Sequence, residues 1–303
     1  MKKNSTNFLI VGLLVIAAFL AGNFWTRIKT EKSVAEKPTS IQTTPVAGAF
    51  SFNPPKSAKP EVKFFVMSFC PYGNQAELGL EPVYQLLKDK VSWQPRYIVS
   101  DKKASCEQSC PYRVWNDQAK QRCQSGVDAG QVKSLEDCRK QYFPYSSADE
   151  CLEKACAGIK EGEWESLHGE QELHQDIREI CALRQENWDK WWKFVSLVNK
   201  NCNYQNVDSC WEAQAEEAEL DVDKIKVCER QEADDLLKKE VEELKKYQAS
   251  GSPTVFINDA LYDGGRAPED YKKAICAAFE KQPKECETVL GSETQAPAGG
   301  GCK

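Results

Sequence analysis

Fourteen cysteines in 303 residues, set against two histidines and two methionines, constrain this chain more than any other feature. Such an excess of sulfur over imidazole points to disulfide or thiol chemistry rather than to a histidine-rich metal site. Disulfides persist outside a reducing cytosol, so the sequence predicts an exported protein with no resident metal or cofactor. The amino terminus agrees. Lys2 and Lys3 precede an uncharged, mostly apolar run from Phe8 to Trp25. As a helix its roughly 18 residues would span about 27 Å, close to the thickness of a hydrocarbon core. We read 8–25 as a transmembrane signal anchor, 1–7 as a cytoplasmic stub and the rest as extracytoplasmic, in the periplasm or outside the cell. A cleaved signal peptide ending near Ala18-Phe19-Leu20-Ala21 is the alternative for the same residues.

The net charge of −6 argues against nucleic acid as a partner, because a phosphate-backbone binder needs a basic face. A hydrophobic fraction of 41% is enough for a packed core. Residues 26–60 are rich in Thr, Ser, Pro and Lys and read as a flexible linker. The folded domain is expected at 61–290, followed by a flexible tail, 291–303. Within the domain, Glu61 to Phe69 is a short β-rich run of the buried-strand kind. It stops at Cys70-Pro71-Tyr72-Gly73, and helical spacing follows from Asn74 to Lys88. Val91 to Val99 reads as a second strand, which makes a right-handed β-α-β unit. Residues 101–250 are mostly helical by pattern, with Trp188, Trp191, Trp192, Val195 and Val198 on one face. A later helix is expected from about Ala233 to Tyr247. Strand signals return at Thr254 to Asn258 and Ala260 to Tyr262, and Pro268 opens a last helix.

The order of a strand, Cys-Pro at a helix start, a helix, a strand, a helical insertion and then Ser252-Pro253 leading into a strand resembles the thioredoxin fold with a DsbA-type insertion. That resemblance implies an α/β domain in which 101–250 is the insertion. It also implies a cis Pro253 facing Cys70, with Ser252 presenting its backbone to an extended substrate. Cys70 has its own reason to be reactive: a thiol at a helix amino terminus faces unpaired N–H groups and the positive end of the dipole. Pro71 and Tyr72 complete the helix start. Usual members carry a second cysteine where this chain has Gly73, so Cys70 could form a mixed disulfide without a local thiol to resolve it. Removing Cys70 from fourteen leaves an odd number. Cys302, on a Gly-rich tail, is the candidate resolving cysteine, its alternatives being a loose thiol or an intermolecular bridge.

The segment from Ser166 to Cys181 is similar to the signature of the gamma-interferon-inducible lysosomal thiol reductase family. His168, Gly169, Glu172 and Cys181 fall in register, and Asp176 stands for an Asn. Ser166 and Leu173 replace the first two signature cysteines, so that family's local disulfides do not carry over. His168 and His174 are six apart and share no helix face, which argues against a zinc site. We expect His168-Gly169 to open a helix with Glu172 and Glu179 capping or solvated, and leave open a role for His168 near Cys70. Cys202 with Cys210 and Cys276 with Cys286 flank short loops and read as structural disulfides. Cys106, Cys110, Cys123, Cys138, Cys151 and Cys156 are expected to pair among themselves, in an order the sequence does not fix, and Cys181 with Cys228. The Trp-rich face reads as core rather than groove.

These features describe a membrane-tethered thiol–disulfide oxidoreductase working through Cys70 on cysteine-containing exported proteins or a small thiol. The main alternative is a redox-inactive binding or chaperone module that keeps the groove and has lost turnover with the missing cysteine. A disulfide-stapled ectodomain without a groove function is a third.

Overall fold

The computed structural model describes residues 52–293. The expected anchor, 8–25, therefore lies outside the described residues, among which no helix is long and apolar enough to cross a membrane. The first strand, β1 (Glu61–Val66), pairs in parallel with β2 (Ser92–Tyr97), and helix α1 (Pro71–Leu87) runs between them. Strands β5 (Thr254–Ile257) and β6 (Ala260–Tyr262) add on antiparallel, which gives the sheet order β2-β1-β5-β6. This is the thioredoxin-like arrangement. Pro95 is tolerated inside β2 because that strand is the sheet edge. Asn258 and Asp259, both with positive φ, form the two-residue turn between β5 and β6.

Alternation along β1 sorts its side chains between two cores. Phe64 stacks on Trp192 with ring centroids 5.8 Å apart, whereas Phe65 packs against Tyr247 and Phe256. Trp191 and Trp192 are fully buried, so the Trp-rich face is core. Helix α1 lies so close to α10 (Pro268–Ala277) that a Cβ on Gly79 would fall 2.3 Å from the Arg266 carbonyl oxygen.

Between β2 and β5 lie the short strands β3 (Ser100–Asp101) and β4 (Trp164–Glu165), which pair with each other, and eight helices. Four belong to a sulfur-linked satellite: α2 (Lys102–Ser109), α3 (Asp117–Asp128), α4 (Leu135–Tyr142) and α5 (Ala148–Cys151). The others are α6 (Glu170–Leu183), α7 (Trp188–Asn201), α8 (Val207–Glu217) and α9 (Val222–Tyr247), which pack on the main core. Helix α9 begins well before Ala233. The Asp221 side chain caps it by accepting from the Lys224 N–H, and the Lys- and Glu-rich first half hides its one buried stripe, Ile225 and Cys228.

The domain also starts earlier than residue 61. Residues 52–60, assigned by composition to the linker, are held against the folded domain: the Ser57 N–H donates to the Ala278 carbonyl at 2.9 Å, just past α10, and its carbonyl accepts from the Glu280 N–H. Asn258 Nδ2 donates to the Pro55 carbonyl at 2.7 Å, and Phe52 packs edge-on against Tyr262. Proline-rich composition does not separate a linker from a strap whose hydrogen bonds are made by its other residues.

Candidate active site

The chain leaves β1 through Met67-Ser68-Phe69 and enters α1 at Cys70, which occupies the N-cap position with Pro71 at the first helical position. Proline suits that place because its missing N–H would have had no intrahelical partner. Cys70 therefore stands against the open amino-terminal N–H groups of a 17-residue helix. Across from it, the Ser252–Pro253 peptide bond is cis, and Cys70 Sγ lies 3.4 Å from the Ser252 carbonyl oxygen. The Ser252 hydroxyl accepts from the Met67 N–H at 3.1 Å, which ties the proline loop to the Cys70 loop. Tyr72 is partly exposed beside this contact, with the Arg266 guanidinium 5.2 Å from its ring centre. Arg266 also donates to Gln75 at 3.1 Å and so brings a cation to the first turn of α1. Sequence reading gave no signal for it, since it comes from the loop before α10.

Gly73 has a physical reason. A Cβ at this position would fall 2.5 Å from Ser252 Oγ, so the hydroxyl that joins the two loops occupies the space a side chain would need.

Beneath the site lies a group of buried carboxyls, two of which, Glu172 and Glu179, the sequence suggested were capping or solvated; Glu172 does cap, accepting from the His168 N–H at 2.9 Å, but neither is solvated. Glu172, Asp176 and Glu179 are fully buried, and Glu77 nearly so. Glu172, Asp176 and Glu179 face inward because α6 packs against both the sheet and α9, and Glu77 approaches them from α1. Asp176 Oδ1 accepts from the Ser68 N–H at 3.0 Å and the Ser68 hydroxyl at 2.6 Å. Glu172 Oε1 accepts from the Phe69 N–H at 3.0 Å and lies 2.7 Å from His168 Nδ1. Glu179 accepts from Tyr97 Oη at 2.7 Å and Gln175 at 2.9 Å. The loop that delivers Cys70 is thus held by two carboxyls of the insertion, and His168 reaches that loop only through Glu172. Burial, reinforced by Glu172, pushes Asp176 well above the ordinary carboxylate range. Burial and the neighbouring Glu179 raise Glu77 likewise. Glu179 is pushed up by burial to about 7, against the hydrogen bonds from Gln175 and Tyr97. The available signal was the spacing 168, 172, 176, 179, a polar stripe on one helix face.

Beside the proline loop a cleft of about 470 Å³ is lined by Met67, Ser100, Ser166, Leu167, Ser250 and Ser252, among others. Leu167 is more than half exposed there. An extended chain laid in this cleft would run past the Ser252 backbone.

Every described cysteine is held in a disulfide. Six disulfides join Cys106–Cys156, Cys110–Cys151, Cys123–Cys138, Cys181–Cys228, Cys202–Cys210 and Cys276–Cys286. Cys70 is also disulfide-bonded, and no described cysteine is free. The fourteenth, Cys302, lies outside the described residues. Cys106, Cys110 and Cys156 bring three sulfurs within 4.8 Å of one another, but as cystines they are not thiolate ligands. His168 and His174 turn to different carboxylates, Glu172 and Asp208.

A thioredoxin family model matches residues 174–277, from within α6 to the end of α10, and leaves out Cys70. No curated protein matches the chain. Among solved structures, it is similar to the disulfide bond oxidoreductase DsbG of Mycobacterium tuberculosis, with 12% identity, a TM-score of 0.42, and coverage of 78% of this chain and 88% of that one. A probable DsbA oxidoreductase of Streptomyces coelicolor aligns with 15% identity and a TM-score of 0.42 over 79% of this chain and 97% of the other. The thiol-disulfide oxidoreductase MdbA of Corynebacterium diphtheriae gives 11%, 0.39, 70% and 81%. These likenesses are remote, and it is the chain's own strand order and cis-proline that define the fold.

Proposed function

We propose that this chain is an extracytoplasmic thiol–disulfide oxidoreductase, tethered by residues 8–25, in which Cys70 exchanges disulfides with cysteine-containing proteins and Cys302 is its second sulfur. One observation carries the reading: Cys70 caps the first turn of α1 with its sulfur 3.4 Å from the carbonyl that precedes a cis-proline. Cysteine accounting supports the role of Cys302. Twelve cysteines are paired with one another, Cys70 is in a disulfide, and fourteen exist in all.

In the oxidising direction a substrate thiolate attacks Cys70 Sγ, the Cys70–Cys302 bond breaks, and Cys302 leaves as thiolate. A second substrate thiolate then attacks the substrate sulfur of the mixed disulfide. That step forms the substrate disulfide and releases the Cys70 thiolate, which the helix dipole stabilises. Reduction is the same path reversed, and relative potentials set the direction. Ser252 and Pro253 present backbone to the substrate, while Pro71 and Tyr72 shape the rim of the site. The similarity of 166–181 to lysosomal thiol reductases fits a positioning role for Glu172 and Asp176, which hold the Ser68 and Phe69 amides.

The test is trapping. Cys302→Ser in the full chain should accumulate mixed disulfides through Cys70, and Cys70→Ser should abolish both trapping and turnover of a dithiol substrate. Gly73, whose space is filled by Ser252 Oγ, favours the second reading of a redox-inactive binding module. That reading predicts peptide binding in the cleft unchanged by Cys70→Ser, with no mixed disulfide in either variant.

A further inference from the structure

The satellite formed by α2 to α5 contains a second concentration of sulfur, remote in sequence from Cys70. Cys106 and Cys110 are four residues apart, one turn, where α2 passes into the short 3₁₀ turn Cys110–Arg113. Opposite them, Cys151 and Cys156 are five apart across a π-helical turn, Leu152–Cys156, whose wider pitch again places both on one face. Two helical turns facing each other with this spacing stack two disulfides, Cys106–Cys156 and Cys110–Cys151. The stack is close: Cys110 Sγ and Cys156 Sγ, which belong to different disulfides, lie 3.6 Å apart. Access is unequal. Cys110, Cys151 and Cys156 are buried, and Cys106 is only partly covered.

We propose that these four cysteines form a second redox centre, in which the two disulfides are coupled by internal exchange and a small dithiol enters at Cys106. A thiolate of the dithiol attacks Cys106 Sγ, the Cys106–Cys156 bond breaks, and Cys156 becomes a thiolate. Cys156 then attacks Cys110 Sγ across the 3.6 Å contact. The Cys110–Cys151 bond breaks, a Cys110–Cys156 disulfide forms, and the electron pair rests on Cys151. The dithiol's second thiolate attacks its own sulfur in the mixed disulfide, closes to a cyclic disulfide and frees Cys106. In sum, the dithiol is oxidised, its two protons end on Cys106 and Cys151, and the two original disulfides are replaced by one new disulfide, Cys110–Cys156, and two thiols. Exchange of this kind needs only a thiolate, a disulfide sulfur and access between them. A buried disulfide that no external thiol can reach is thereby opened from its neighbour.

The experiment is partial reduction of the full-length protein with substoichiometric dithiothreitol, acid quenching, alkylation and mapping of the linked peptides. Cleavage at Glu and Lys separates all four sulfurs, because Glu107 lies between Cys106 and Cys110, and Glu153 and Lys154 lie between Cys151 and Cys156. The proposal expects alkylated Cys106 and Cys151 in equal amounts, together with a Cys110–Cys156 peptide that is absent before reduction. Alkylated Cys106 and Cys156 with Cys110–Cys151 intact would overturn it. So would the absence of any label on the four cysteines until the chain unfolds. The same map is expected in the Cys70→Ala/Cys302→Ala protein, since entry at Cys106 does not involve the Cys70 site. Loss of the map there would overturn direct entry.

Discussion

The main core and the satellite are held together by different physics. Around the sheet, Phe64, Trp191, Trp192, Leu80, Leu87 and Ile257 are fully buried, and apolar area removed from water supplies the stability. In the satellite the buried cluster is Cys110, Cys151 and Cys156, with Cys106, Tyr145 and Ala155 partly covered. Three disulfides there do what side-chain packing does around the sheet, by limiting the unfolded chain more than by filling space. Where core is scarce, sulfur replaces it. Where core is plentiful, the domain can bury the four carboxyls beneath the Cys70 site and still fold.

The contrast yields its largest expected effect in the core. Trp192→Ala should cost about 3–5 kcal/mol and lower the midpoint of the whole cooperative transition, as measured by urea unfolding. Removal of one satellite disulfide, Cys110→Ala/Cys151→Ala, should cost about 2–4 kcal/mol. Hydrogen exchange should confine the loss of protection to α2–α5 and leave β1 protected. Equal deprotection of the sheet would break the distinction. At the junction with the active site, Gly73→Ala should cost roughly 1–3 kcal/mol, because its Cβ meets a hydroxyl fixed by the Met67 amide. Ser252→Gly in the same chain should recover part of that loss.

A further effect is a pH dependence of the carboxyl cluster. Burial raises Glu179 from 4.5 to about 7, so across that interval the folded chain keeps a proton the unfolded chain has lost. Its contribution to stability is therefore complete below about pH 4.5 and is lost as pH rises to about 7. Thermal unfolding followed across this range should show the melting temperature of Glu179→Gln falling less than that of the parent.

Sequence made the sheet and the Cys70 helix start legible because each rests on a local signal: a β-rich run, a Cys-Pro at a helix start, and Ser-Pro before a strand. Short loops such as that between Cys202 and Cys210 also restrict pairing by length alone. The inward carboxyls were hidden, because Glu172, Asp176 and Glu179 sit on a helix rich in acidic residues, and only its packing between the sheet and α9 reveals which way they face. The strap at 52–60 was hidden for a related reason: its partners, Asn258 and Ala278, are some two hundred residues away in sequence. Arg266 carried no local pattern at all.

The most direct check on the account is disulfide mapping of the unreduced full-length protein, cut at Glu293 to release the peptide that holds Cys302, before and after incubation with a dithiol substrate. The account predicts a Cys70–Cys302 peptide that disappears as substrate is oxidised and returns on reoxidation, while Cys202–Cys210 and Cys276–Cys286 persist throughout. A Cys70 joined to any other cysteine, or a Cys70 linkage that substrate leaves untouched, would contradict it.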